Sequence, residues 1–474
     1  MSINVEVSLL SGKRAVVNVG LDEDVARLMF RAQSALEVKT GKLLDSSGNF
    51  LDGRVLIKDT MLENNASLTL QISRVQAFGA SSAFAAILGD RSVATWGVAI
   101  HGGDSSAVQE QLQNVHQIQA GNSAFAAILG NGSVVIWGHP TFGGDGDAVQ
   151  AQLKNVELIQ DGSVVTWGNR GTGGDSSAVQ DQLRNVKQIA SSDWAFAAIR
   201  ADGSVVSWGD ASFGGDSIAV QAQLRNVQQI QATDGAFAAL LANGSVVTWG
   251  EADCGGDSSS VRDQLKNVLW IQATSSAFAA ILVDGSVIAW GNARCGGDSS
   301  AVQDKLQSVQ QIQANQDAFA AILADGSVVT WGAARTGGDS SSVQDELKNV
   351  QQIQATDKSF AAILGNGSVV TWGHEHKGGD SSAVQHQLKN VQQIAANGRA
   401  FAAILADGSI VTWGDDRAGG DSSAVRDQLK NVQQIHAAWE GAFAAILADE
   451  SVVTWGAADM GGDSSALEQQ LRNV

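Results

Sequence analysis

A Trp-Gly dipeptide returns ten times along this chain, with its tryptophan at Trp96, Trp137, Trp167, Trp208, Trp249, Trp290, Trp331, Trp372, Trp413 and Trp455. The successive spacings are 41, 30, six of 41, and 42 residues. A period of this length marks a repeat architecture, in which one supersecondary unit stacks against copies of itself. One unit reads approximately N-V-Q-Q-I-Q-A-x-x-x-A-F-A-A-I-L-A-D-G-S-V-V-T-W-G-x-x-x-x-G-G-D-S-S-A-V-Q-D-Q-L-K.

Each unit divides into three short strands and a crossover. Val227 to Ala232 alternates apolar and polar residues, Ala236 to Leu241 is continuously apolar, and Ser245 to Gly250 is rich in β-branched residues. Asp-Gly or Asn-Gly between the second and third strands is a hairpin signal. The stretch from Asp298 to Val309 reads as a short helix. Ser300 and Gln303 have capping-box spacing there, and Val302, Leu306 and Val309 share one face. Three-stranded antiparallel units at a fixed period predict a β-propeller of seven or more blades. Nine units carry a phenylalanine in the second strand: Phe84, Phe125, Phe196, Phe237, Phe278, Phe319, Phe360, Phe401 and Phe443. With the tryptophans, these are expected to fill the space between blades.

The third unit is defective. Asn155 to Gln160 runs directly into Asp161-Gly162-Ser163, omitting about one strand and its preceding loop, so a local rearrangement is expected. Seven complete units follow, enough to close a ring alone. The hairpin glycine is replaced only in the first and last units, by Arg91 and Glu450, which instead marks the ends of one ten-unit array. Both closures remain open at this stage.

Residues 1–73 lack the period. Ile3, Val5, Val7 and Leu9 alternate, Ala15 to Val19 form a second strand, and a helix after Asp22 carries Val25, Leu28, Met29, Ala32 and Leu36 on one face. Ser67 to Ile72 reads as the closing strand. The expected division is 1–73 and 74–474, with the truncated unit at 155–168.

Charge narrows the functional classes. Among 474 residues, 30 Lys and Arg oppose 49 Asp and Glu, a net charge of −19. Such acidity disfavours nucleic acid and anionic membranes. No apolar run reaches the length of a membrane span, and the N-terminus lacks a secretory layout, so the expected location is cytoplasmic or nuclear. Two cysteines cannot supply a disulfide framework.

Residues 1–73 resemble ubiquitin-like (β-grasp) domains. The resemblance rests on Leu10-Ser11-Gly12-Lys13, Leu51-Asp52-Gly53-Arg54 and Ser67-Leu68-Thr69-Leu70. It implies a partner-recruiting patch in which Leu10 and Leu44 match two members, while Gln71 replaces a third, normally aliphatic one. The di-glycine tail needed for conjugation is absent, since Ile72 leads on into the array. The array resembles the regulator of chromosome condensation propellers, including their short-repeat branch that inhibits β-lactamases. Ala242-Asn243-Gly244-Ser245-Val246-Val247-Thr248-Trp249-Gly250, then Gly255-Gly256, carries that likeness, with Ala236 where the family has histidine. Activities implied by the family include nucleotide exchange on a small GTPase, ultraviolet sensing, enzyme inhibition and substrate recruitment.

The units differ mainly in two loops, one between the first and second strands and one after Trp-Gly. Both are expected on one face of the ring, where a constant scaffold displays varied segments. Candidate partner-binding residues there are Trp194, Trp439, Phe213, His374, His376 and Arg417, with Leu10 and Leu44 on the leader. No catalytic, cofactor-binding or metal-binding residues are assigned. Cys254 and Cys295 have no histidine as a base, and His374-Glu375-His376 has no third ligand. Asp145 and Asp147 echo a calcium β-roll at the wrong period. One tryptophan per unit is too dispersed for light sensing. The expected function is a non-enzymatic protein-interaction scaffold, with a ubiquitin or proteasome link through the leader and no cofactor. The alternatives are a guanine nucleotide exchange factor and a propeller-type enzyme inhibitor.

Overall fold

The computed structural model describes residues 2–9, 13–36, 42–45, 51, 55–60, 62–71, 75–146, 149, 153, 163–467 and 470–471. Near the N-terminus, β1 (Ser2–Ser8) and β2 (Arg14–Gly20) form an antiparallel hairpin. α1 (Val25–Leu36), β3 (Lys42–Leu44) and β4 (Ala66–Gln71) follow. The sheet order is β2-β1-β4-β3, with β1 and β4 parallel and β3 antiparallel to β4. Val25, Leu28, Ala32 and Leu36 pack onto Val5, Val7, Val17 and Val19, as the alternation and the helical spacing predict. Glu23 joins hairpin to helix by accepting from the Gly20 amide at 2.7 Å and from Arg31 at 2.8 and 2.9 Å.

The remainder is a propeller with nine three-stranded antiparallel sheets among the described residues. The fifth unit is representative, with strands Val227–Ala232, Ala236–Leu241 and Val246–Gly250. The first strands of neighbouring units touch one another, which puts them innermost, and the third strands lie outermost. Each second strand is buried on both faces. Ala236, Ala238 and Leu240 of one blade meet Phe278, Ala280 and Trp290 of the next, so each phenylalanine packs against a shallow alanine surface. The aromatic assignment is correct, with nine Phe–Trp stacks at centroid distances of 5.0–5.4 Å.

The tryptophans also stitch the ring. Each indole N–H donates to the first carbonyl of the preceding unit's Gly-Gly pair at 2.9–3.1 Å, as in Trp249 to Gly214 and Trp290 to Gly255. That glycine is obligatory on two counts. Gly214 has φ +94°, and a Cβ there would lie 2.5 Å from Cδ2 of Phe237. Trp96 of the first unit donates to Gly461 of the last, and Val75, Ala77 and Phe84 share a core with Ala442, Ala444, Ile446 and Leu471. The array therefore closes as one ring from first unit to tenth.

Two readings need correction. Asp298 to Val309 contains a six-residue 3₁₀ helix, Ser300–Lys305, rather than an α-helix. The other crossovers hold shorter 3₁₀ segments or turns. Its capping-box reading also fails. Ser299, not Ser300, bonds Gln303 at 2.9 Å, and Gln303 then donates to the Val287 carbonyl on the outer strand. Asp298 takes the Ser300 amide. The side chains serve to cover the outer sheet edge, and an edge strand requires some such cover.

The Asp-Gly signal marks a three-residue loop whose glycine alone has positive φ, +76° at Gly244. Arg91 and Glu450 occupy that left-handed position at φ +68° and +67°. In the third unit, Val164 to Gly168 form no strand, yet the outer connections persist. Trp167 donates to Gly143, Gln180 to Val164, and Thr166 to Ser176. The expected rearrangement keeps the outer layer of that unit, while Asn155 to Gly162 lie outside the described residues.

Replacing Trp290 by phenylalanine would keep the stack and orphan the buried Gly255 carbonyl. A loss of about 1–3 kcal/mol is expected, read as a shifted urea midpoint. Trp167→Phe, at a less buried junction, is expected to cost less.

Candidate functional site

The two variable loops of each unit emerge at the same end of the blade. Glu251 donates its amide to Gly235, placing the segment after Trp-Gly beside the loop between the first two strands. A side chain then fixes the pair. Ser192, Thr233, Thr274, Asn315, Thr356 and Asn397 donate to Phe213, Cys254, Cys295, Thr336, Lys377 and Ala418 carbonyls at 2.6–3.3 Å. These donors are short and polar because each must also turn the chain into its second strand. Asn315, for example, accepts from the Ala318 amide at 2.8 Å.

Neighbouring loops are joined by backbone bonds into a girdle around the mouth of the ring. Asp193 donates to Asp234, Asp234 to Ser275, Ser275 to Gln316, Gln316 to Asp357, Asp357 to Gly398, and Gly398 to Trp439. Trp439 and Glu440 then donate to Ala80 and Ser81, and Ser81 to Asn122, all at 2.7–3.2 Å. Among the described residues the girdle is interrupted between Asn122 and Asp193, where the third unit lacks this loop. Beside that interruption Ile189 is 42% exposed, whereas its counterpart Ile230 is 3% exposed.

The predicted residues separate into distinct settings. Trp194 is 46% exposed and stacks on Phe213 at 5.8 Å, and Phe213 reaches the next unit. A Cβ on Gly235 would lie 2.9 Å from Cδ1 of Phe213. Trp439 is exposed and uses its backbone in the girdle. Arg417 is exposed beside the Asp415 cap, which accepts its amide. His374 is half-buried with Nδ1 unpartnered, and His376 is exposed, its ring 6.0 Å away and 3.2 Å from Glu375. No group of three or more metal-ligating side chains is assembled among the described residues. Leu44 is half-buried on β3, and Leu10 lies outside the described residues.

Electrostatics give the mouth two unlike sectors. The loops of the fourth and fifth units hold Asp193, Asp210, Asp234, Glu251 and Asp253 and no lysine or arginine. Those of the eighth and ninth balance Lys358, Lys377, Arg399 and Arg417 against Asp357, Glu375, Asp415 and Asp416. Partial withdrawal from water, with Asp193 and Asp317 adding like charge, raises Asp234 to about 6. Burial raises Asp357 against the pull of Lys377, Arg399 and Lys358. The Cys254 thiol is pushed up to about 11 by burial and by the Glu251 carboxylate it bonds at 3.2 Å.

Sequence reasoning missed a second exposed surface. Leu269, Trp270 and Val283 are all exposed at the opposite, hairpin end of the sixth unit. Leu269 sits in the bulge between Val268 and Trp270, and the Val283 amide bonds the Asn267 carbonyl. The signal was available, since most sister units have Gln-Gln where this one has Leu-Trp.

No protein-family model matches the chain, and no curated protein sequence matches it. Solved structures similar to it include Prp20p from Saccharomyces cerevisiae, described with its binding to Gsp1p and histones. That likeness has 18% identity over 54% of this chain and 81% of that one, with a TM-score of 0.34. Human WBSCR16 is similar at 16% identity over 49% and 80%, TM-score 0.33. The computationally designed Ika8 protein is similar at 13% over 72% and 96%, TM-score 0.31. The propeller assignment rests on the blade geometry of this chain.

Two outcomes follow from the electrostatics. Iodoacetamide at pH 8 is expected to alkylate Cys254 on the order of a hundredfold more slowly than a free cysteine, with Glu251→Gln accelerating it. For Asp234 the folded state holds its proton between 3.8 and about 6. Stability from this group is therefore full below 3.8 and declines as pH rises through 6. Asp234→Asn is expected to raise the urea midpoint at pH 8 by about 1 kcal/mol equivalent, allowing for solvent screening, and to leave it unchanged at pH 4.

Proposed function

We propose that this chain is a non-enzymatic interaction scaffold whose regulator-of-chromosome-condensation-type propeller binds protein partners through the loop face. The observation carrying this reading is the gathering of the variable loops of the complete units at one mouth, held by side-chain and backbone bonds. That arrangement gives a rigid frame with changeable side chains, the property a recognition surface needs. Exposed Trp194 and Trp439 are suited to anchor such contacts.

In this reading residues 1–73 form a ubiquitin-like module and 74–474 the propeller. The sheet order β2-β1-β4-β3 with a helix across one face supports the β-grasp assignment. The module would connect the scaffold to ubiquitin or proteasome machinery, with Leu44 in its contact patch. The proposed location is the cytoplasm or nucleus, in keeping with two unpaired thiols. The resemblance of the repeats to the regulator of chromosome condensation propellers makes nucleotide exchange on a small GTPase the activity to test against.

Quantitative affinity capture with the full chain, Trp194→Ala and Trp439→Ala tests the loop face. At least one variant is expected to lose specific partners while retaining the others. Equal recovery of every partner would remove the loop-face reading. Stimulated nucleotide release from a small GTPase would replace the scaffold with an exchange factor.

A further inference from the structure

The loop face is uneven, and an exposed aromatic pair lies in its most acidic sector. Trp194 stacks on Phe213, and Phe213 extends along the mouth to Gly235, where the absence of a side chain leaves room for the ring. Beyond Gly235 lie Oε2 of Glu251 and Sγ of Cys254, so the surface runs unbroken from the fourth unit into the fifth. The backbone bond from Asp193 to Asp234 fixes the two units relative to one another at this point.

Charge specifies what such a surface fits. Its loops contain carboxylates and no cationic side chain. Asp193 and Asp234 are exposed neighbours across the inter-unit bond, and their mutual repulsion is relieved by a cation. The faces of tryptophan and phenylalanine attract ammonium and guanidinium groups, and this adds to the Coulomb attraction instead of opposing it. An acidic segment would meet like charge here. An apolar one would cover the aromatics and leave the carboxylates to lose water without a partner.

We infer that the Trp194–Phe213 stack and the adjoining loops of the fourth and fifth units dock a lysine- or arginine-bearing segment of a protein partner. This deepens the scaffold reading and rests on the loop face being the binding face. The ring supplies a preorganised frame, and the partner supplies the cations.

The test uses the full chain and a fluorescein-labelled dodecapeptide rich in lysine and arginine, with a glutamate-substituted counterpart, read by fluorescence anisotropy. Trp194→Ala removes the aromatic surface without changing net charge, which separates docking from general attraction to an acidic protein. Binding of the basic peptide is expected to weaken about tenfold or more in Trp194→Ala and in Phe213→Ala. The Asp193→Asn/Asp234→Asn pair is expected to weaken it and to flatten its salt dependence between about 50 and 500 mM. Trp439→Ala is expected to stay within about twofold. Unchanged affinity in both aromatic variants, no binding of the basic peptide, or tighter binding of the acidic one would each overturn the inference. If Trp439→Ala alone loses protein partners in the capture experiment, the loop face stands and this sector falls. If no loop variant alters any interaction, both readings fall together.

Discussion

The indole-to-glycine hydrogen bond between successive units is the contact on which the architecture turns. A tryptophan cannot satisfy its N–H within its own blade, because the accepting carbonyl belongs to the blade before it. Every unit therefore carries an unmet donor on one side and an unmet acceptor on the other. Bringing the ends of the array together pairs that donor with that acceptor inside the protein. Trp96 and Gly461 do this, and Leu471 takes its place over the first blade. Each uncompensated group would cost about 1–3 kcal/mol when buried, beyond the apolar faces that open ends would expose. The Gly-Gly pair is thus a structural requirement of the repeat, set by left-handed backbone and by the phenylalanine lying against it.

The truncated third unit shows which layer of the blade holds the ring. Its tryptophan still reaches Gly143, its carbonyl at Gly173 still receives Trp208, and its crossover glutamine still seals the outer segment. What it lacks is the loop that would continue the inner girdle. The outer clasp carries the chain past the defect, and the cost appears locally, in the exposure of Ile189 and the partial exposure of Phe196. The mouth consequently has a distinct edge, and the Trp194–Phe213 surface lies at it.

Much of this was legible in the sequence, for physical reasons. Period-2 alternation and β-branched runs placed the strands, since a sheet demands that pattern irrespective of neighbours. The identity of the variable loops, and their emergence on one side, followed from counting strands in a unit. Ring closure was only half legible, because seven complete units could close alone while Arg91 and Glu450 marked the ends of a ten-unit array. The Trp96–Gly461 bond and the core shared by the first and last units distinguish the two. The crossover was misread because serine and glutamine spacing suits a helix cap as well as a sheet-edge cover. The girdle was invisible, being made of backbone. The Leu269–Trp270 surface was hidden because apolar residues within a strand pattern read as core, and only the bulge between Val268 and Trp270 turns them outward.

Hydrogen exchange read by mass spectrometry tests ring closure most directly. The account predicts that segments around Ala77–Ile87 and Ile435–Ala444 resist exchange as strongly as the interior segments Ile230–Ala239 and Ile271–Ala280, because the terminal units are held by the same bonds as the interior ones. Fast exchange at both terminal segments, alongside slow exchange in the interior, would show an open array and contradict it.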